Sequence, residues 1–172
     1  MKKAVVFLFE ANSQSKSDYY YVRSVLKTFY DSRVILEKIF CGSKCELYSN
    51  STKTKIKNAI KKHPDADQYF YVFFADVDTG TNADKERNKK IEEFSATYGE
   101  NASIVWFNPY IEDLFLGKKV PDKDKAKMAR QFFSTCTKSD FDETKLSYNK
   151  PLTKLHSSNI LLIFNKIFSK LK

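Results

Sequence analysis

The chain has 172 residues, 42% of them hydrophobic, with 15 Phe and 10 Tyr but only 4 Gly and 4 Pro; this allows one well-filled domain with an aromatic core and excludes a disordered chain, a loop-rich all-β protein and long linkers. Lys and Arg total 30 against 21 Asp and Glu, a formal charge of +9, which favours polyanionic partners, nucleic acid first, unless the excess is simply a lysine-rich solvated surface. Cys41, Cys45 and Cys136 lack the paired spacing of a zinc site, no signal-length apolar run follows Lys3, and no run reaches bilayer length, so reduced thiols, a cytoplasmic location and no membrane partner are expected.

Ala4 to Phe9 is an unbroken apolar run that ends on Glu10. With no polar residue alternating through it, it reads as a strand buried on both faces. A polar loop, Ala11 to Lys16, leads to Ser17 or Asp18 as the cap of a helix in which Val22, Val25, Leu26 and Phe29 recur at helical spacing. Val34 to Cys41 predicts a strand interrupted by Glu37 and Lys38, which suits a sheet edge. From Ser51 or Thr52 to Lys62 the spacing predicts a helix with Ile56 and Ile60 inward, Lys53, Lys57 and Lys61 in a stripe, and Pro64 as its stop. Tyr69 to Ala75 is the strongest strand signal, a run of aromatic and aliphatic residues closed by Asp76 and Asp78. A helix from about Asp84 to Tyr98 follows, with Ile91, Phe94 and Tyr98 on one face and Gly99 at its end. Ser103 to Phe107 predicts another apolar strand, which runs through Asn108-Pro109-Tyr110-Ile111-Glu112 into a short helix. Pro121-Asp122 opens a further helix with Ala126, Ala129, Phe132 and Phe133 inward; residues 140–150 read as irregular, and a last helix is expected from about Pro151 to Leu171.

Strands alternating with helices imply a mostly parallel sheet, and ligands of such sheets bind beyond the carboxyl ends of the strands. Glu10, Asp76, Asp78 and Asn108 each sit at such an end. In extended geometry Asp76 and Asp78 point the same way, where two like charges repel unless a cation joins them. Carboxylates without His or Cys favour Mg²⁺ or Mn²⁺ over zinc or copper. Glu10 is alternatively a general acid or base. The competing structural readings are that Glu10 caps a neighbouring helix and that Asp76 forms an Asx turn. Lys53, Lys57 and Lys61, and Lys118 and Lys119 with Lys123, Lys125 and Lys127, are either phosphate contacts or solvated faces. His63 and His156 are remote from the acids in sequence and receive no role.

A strand ending in Glu followed by a strand ending in Asp-x-Asp resembles the signature of Toprim domains, found in topoisomerases, primases, ribosomal-RNA maturases and overcoming-lysogenization-defect nucleases. Two further stretches are similar to the RloB-like branch, associated with abortive infection and anti-phage loci: Ser17-Asp18-Tyr19-Tyr20, and Asn108-Pro109-Tyr110-Ile111-Glu112 continuing to Leu116. The resemblance covers about Lys3 to Lys119. Ala11 stands where the family has Gly, and the loop before the Tyr-rich start is longer. It implies a Toprim-like α/β domain over residues 1–120, with a mostly parallel four-stranded sheet flanked by helices and a helical C-terminal extension over 121–172. It also implies Mg²⁺-dependent (or Mn²⁺-dependent) phosphodiester cleavage of DNA or RNA in phage defence. Glu10, Asp76 and Asp78 would be ligands or acid–base groups, Glu112 an additional ligand, a group behind the ligands or simply an acid in a helix's first turn, and Asn108 a positioning group. Lys53, Lys57, Lys118 and Lys119 would contact the substrate, and a partner ATPase fits the same setting. The alternative is a catalytically silent module that docks nucleic acid or protein. A receiver-like phosphoacceptor site needs paired acids after the first strand and a lone Asp after the third; here the order is reversed.

Overall fold

The computed structural model describes residues 2–31, 33–78 and 80–171. In chain order the elements are β1 (Lys3–Phe9), α1 (Ser17–Phe29), β2 (Tyr30–Asp31), β3 (Ile35–Phe40), α2 (Asn50–Lys61), β4 (Gln68–Asp76) and α3 (Asn82–Ala96). They continue as β5 (Ala102–Asn108), α4 (Ile111–Leu116), α5 (Asp122–Thr135), α6 (Glu143–Leu146), β6 (Ser157–Ser158), α7 (Ile160–Ile167) and β7 (Ser169–Lys170). The architecture is α/β, with a mostly parallel sheet in the order β3-β1-β4-β5-β6. The expected edge position of the Glu37-Lys38 strand is met, and β6 adds a fifth strand to the four expected. Contacts cluster the chain into two compact units, one built from residues 2–13, 33–75 and 80–104, the other from 14–31, 76–78 and 105–171.

In the first unit β1 runs parallel to both β3 and β4, with Phe9 opposite Phe40 on one side and Phe74 on the other. Their rings form a cross-strand row: Phe9 stacks on Phe74 at 4.7 Å and on Phe40 at 5.5 Å. Aromatic pairs of this kind stabilise a sheet beyond the area they bury. The row immediately precedes Glu10, at the carboxyl end of β1. Helix α2 starts one residue earlier than the periodicity indicates, because Ser49 caps it by accepting from the Thr52 N–H at 3.1 Å. Thr81 and Asp84 close a reciprocal capping box at the start of α3.

The second unit is held by aromatic side chains of the helices. Phe115 of α4, Phe132 of α5 and Phe141 pack edge to face within 6.0 Å of one another. Tyr21 of α1 stacks on Phe115 at 5.3 Å. Helix α1 departs from its expected cap: Ser17 is already helical, and Lys16 precedes it with a positive φ of 49° and no side-chain cap. Instead of the one helix expected from about Pro151, a single 3₁₀ turn forms over Pro151–Thr153, and α7 begins only at Ile160. The chain is kept extended there by pairing of Ser157 and Ser158 with Asn108 and Phe107, and by the Asn159 side chain, which accepts the Trp106 N–H at 3.0 Å. Residues 140–150 contain one helical turn, α6, capped by Asp142 and anchored by buried Leu146. Among the described residues no helix is long and apolar enough to cross a membrane. Cys41, Cys45 and Cys136 form no disulfide.

Candidate functional site

The site is built where β4 ends, in the second unit. Asp76 is the last residue of β4, and three hydrogen bonds tie this strand end to the Asn-Pro stretch. The Val77 N–H donates to the Phe107 carbonyl at 2.8 Å, the Asp78 N–H to the Pro109 carbonyl at 3.1 Å, and the Ile111 N–H to Asp76 Oδ1 at 2.9 Å. The Asn108-Pro109 peptide is cis. Two stretches that sequence places thirty residues apart are therefore one clamp, and its product is that the Asp76 carboxylate lies against the backbone directly ahead of Glu112.

Glu112 is only 2% exposed. A carboxylate at that depth needs a compensating charge. Lys125, in the first turn of α5, supplies it, with its Nζ 3.7 Å from Glu112 Oε1 and 3.2 Å from Asp122 Oδ1. Burial pulls the Lys125 ammonium toward neutrality, but the carboxylates of Glu112, Asp122 and Asp76 outweigh it and hold its pKa above the usual lysine value. Tyr21 completes the surroundings. It is fully buried, and its hydroxyl has no hydrogen-bond partner among the described residues. Burial first, then the charges of Glu112 and Asp18, push its phenol well above the ordinary tyrosine range.

The residues singled out from sequence fall into different places. Lys125 pairs with Glu112 and also feels the charge of Asp76. Asp78 is not extended as expected: its φ is 66°, so its side chain does not repeat the direction of Asp76. Asn108 is 5% exposed and its amide donates to the Pro151 carbonyl at 2.7 Å, which spends its donor on holding the chain beyond β5. Glu10 follows β1 in the first unit, where it adds to the burial that raises the Cys41 thiol pKa. Lys53 and Lys57 are exposed on α2; their neighbours Lys55 and Lys62 line a pocket of about 280 Å³ with Lys38 and Glu37. Lys118 and Lys119 are exposed after α4, which Gly117 ends in the left-handed conformation. They line a second pocket, of about 320 Å³, with Lys127, Asp124, Val120 and Met128.

Lys125 and Tyr21 were not distinguished as site residues by sequence. Lys125 is one of several lysines alternating with acids after Pro121, and nothing in that pattern marks the one that turns inward. Tyr21 reads as an ordinary core position on α1. Among the described residues no three or more His, Cys, Asp or Glu side chains are grouped so as to hold a metal ion. The donors at hand are all oxygen, and Mg²⁺ is commonly held by one or two carboxylates with water and substrate phosphate completing its shell. No family model, curated protein or solved structure matches the chain.

Proposed function

We propose that this chain is a Toprim-type protein of the RloB-like kind, which hydrolyses phosphodiester bonds of DNA or RNA with Mg²⁺ or Mn²⁺ and acts in bacterial defence against phage. The observation that carries the reading is the Asp76 clamp, which ties the acid ending β4 to the backbone ahead of buried Glu112. Asp76 and Glu112 would hold the ion, which when bound supplies charge neutralisation at the phosphate and a more acidic water. The rigid backbone bonds from Val77, Asp78 and Ile111 keep Asp76 oriented. Lys118, Lys119 and Lys127 surround a pocket suited to backbone phosphates. The part of Glu10 as ligand or acid–base group rests on the motif order alone.

The test is incubation of the protein with single- and double-stranded DNA and RNA in Mg²⁺ or Mn²⁺. Cleavage is expected, abolished by chelation, and lowered about 100-fold or more by Asp76→Asn, a change that keeps the acceptor for the Ile111 N–H. A docking-only reading has one observation of its own, Ala11 in the place where the family has Gly. It expects salt-sensitive binding that survives Asp76→Asn, and no cleavage.

A further inference from the structure

Helices α1 and α5 pack side by side, with the rings of buried Tyr21 and of Phe132 5.5 Å apart between them. Nearer the surface, half-buried Tyr20 and Phe133 meet at 6.0 Å, and Tyr19 lies 6.2 Å from Tyr20. Cations gather on these rings. Arg23 and Lys27, one turn apart on α1, both lie over Phe133, at 4.7 and 4.3 Å from its centre. Arg130 of α5 lies over Tyr20 at 5.8 Å. Lys27 also donates to the Phe133 carbonyl. All three cations are exposed. Lys127, one turn before Arg130, is exposed as well and lines the pocket of Lys118 and Lys119.

Such crowding is unfavourable by itself, because like charges within a Debye length, about 10 Å at 0.1 M salt, repel. Elsewhere cations are matched by acids: Lys62, Lys89, Lys90 and Lys145 each lie within 3.7 Å of a carboxylate. Among the described residues Arg23, Lys27 and Arg130 pair with no carboxylate. Neither α1 from Tyr19 onward nor α5 from Lys125 onward contains an acid. The helix dipole accounts for Lys27, in the last turn of α1, but Arg23 and Arg130 lie mid-helix. We propose that this face binds single-stranded nucleic acid. Arg23, Lys27 and Arg130 meet its phosphates, and unpaired bases stack on the guanidinium planes and the rings beside them. Such stacking takes bases that are outside a duplex. A bilayer suits the face less well: the exposed large apolar side chains among the described residues, Leu152, Leu155 and Leu171, lie on neither helix. The face needs no ion and breaks no bond, so it goes beyond the phosphodiesterase reading and does not depend on it.

The experiment titrates labelled oligo-dT and oligo-U, a duplex of equal length and an abasic strand with the full chain in EDTA, read by fluorescence anisotropy. Wild type is expected to bind the single strands about tenfold more tightly than the duplex or the abasic strand. Arg23→Gln combined with Arg130→Gln, two exposed changes whose melting curve reports an intact fold, should weaken single-strand binding about tenfold. Arg23→Lys combined with Arg130→Lys keeps the charge without the plane; it should retain duplex binding and lose the preference for single strands. Equal wild-type affinity for single strand, duplex and abasic strand overturns the proposal and needs no variant. Single-strand binding that survives the paired Gln substitutions overturns it too, as does tighter binding to phosphatidylserine vesicles than to the strands. Single-strand binding that the Gln pair removes, with no cleavage of any nucleic acid in Mg²⁺, supports the proposal and removes the nuclease reading. Cleavage by wild type, with single-strand binding untouched by the Gln pair, removes the proposal alone.

Discussion

Tyr21 and Glu37 show how much single side chains depend on what lies beside them. The Tyr21 hydroxyl is buried without a hydrogen bond among the described residues, so removing it relieves a desolvated group instead of breaking a contact. Tyr21→Phe is therefore expected to be neutral or stabilising by up to about 1 kcal/mol, measured by urea denaturation at matched slopes; a clear loss of stability would mean that the hydroxyl is satisfied. Glu37 makes the opposite case. Burial raises its carboxyl pKa, but hydrogen bonds from His63 at 2.7 Å and Lys62 at 3.2 Å more than offset this and hold it below 4.5. Because the folded-state value is depressed, its contribution to stability is complete above 4.5 and lost as pH falls through the lowered value. The stability gap between wild type and Glu37→Gln should accordingly narrow below that pH, and a gap that stays constant down to acid unfolding would contradict the assignment. At this scale sequence is least informative. Asp76 and Glu112 are legible because a strand end and a motif mark them, whereas Lys125 differs from Lys123 and Lys127 only in which way α5 turns it.

At the scale of elements, the apolar runs made β1, β4 and β5 legible, since a strand buried on both faces leaves an unbroken hydrophobic signal. The helical spacing of α1, α2, α3 and α5 was equally readable. What escaped was structure without periodicity. A two-residue strand such as β6 has no pattern to detect, and its Ser157 and Ser158 are buried by pairing with the end of β5, not by hydrophobicity. The late start of α7 has the same cause, because side-chain and backbone bonds to β5 override the helical tendency of the preceding residues. Asp78 leaves the extended region for a positive φ as its N–H reaches the Pro109 carbonyl. The cap of α3 was not read from the sequence, which suggests a start near Asp84: Thr81 and Asp84 hold the helix end through bonds of 3.1 and 3.2 Å. Thr81→Ala should cost about 1 kcal/mol and speed amide exchange in the first turn of α3; no change in either would show that the box is not formed in solution.

For the molecule as a whole, the formal charge is +9, and each unit carries a pocket lined in part by lysines. If the pocket of Lys118, Lys119 and Lys127 takes backbone phosphates, the logarithm of nucleic-acid affinity falls linearly with the logarithm of salt. Lys119→Ala should then make that slope shallower by about 1, equally for all sequences. A slope unaffected by Lys119→Ala and Lys118→Ala would return these lysines to the solvated surface. The proposed role of Asp76 and Glu112, one tied by the clamp at the end of β4 to the backbone ahead of the other, is to hold a divalent ion. It is tested most directly by counting Mn²⁺ ions bound to wild type, Asp76→Asn and Glu112→Gln by electron paramagnetic resonance. A saturable site in wild type that both substitutions abolish, with melting curves intact, is the predicted result; no saturable site in wild type, or one that survives both substitutions, would contradict it.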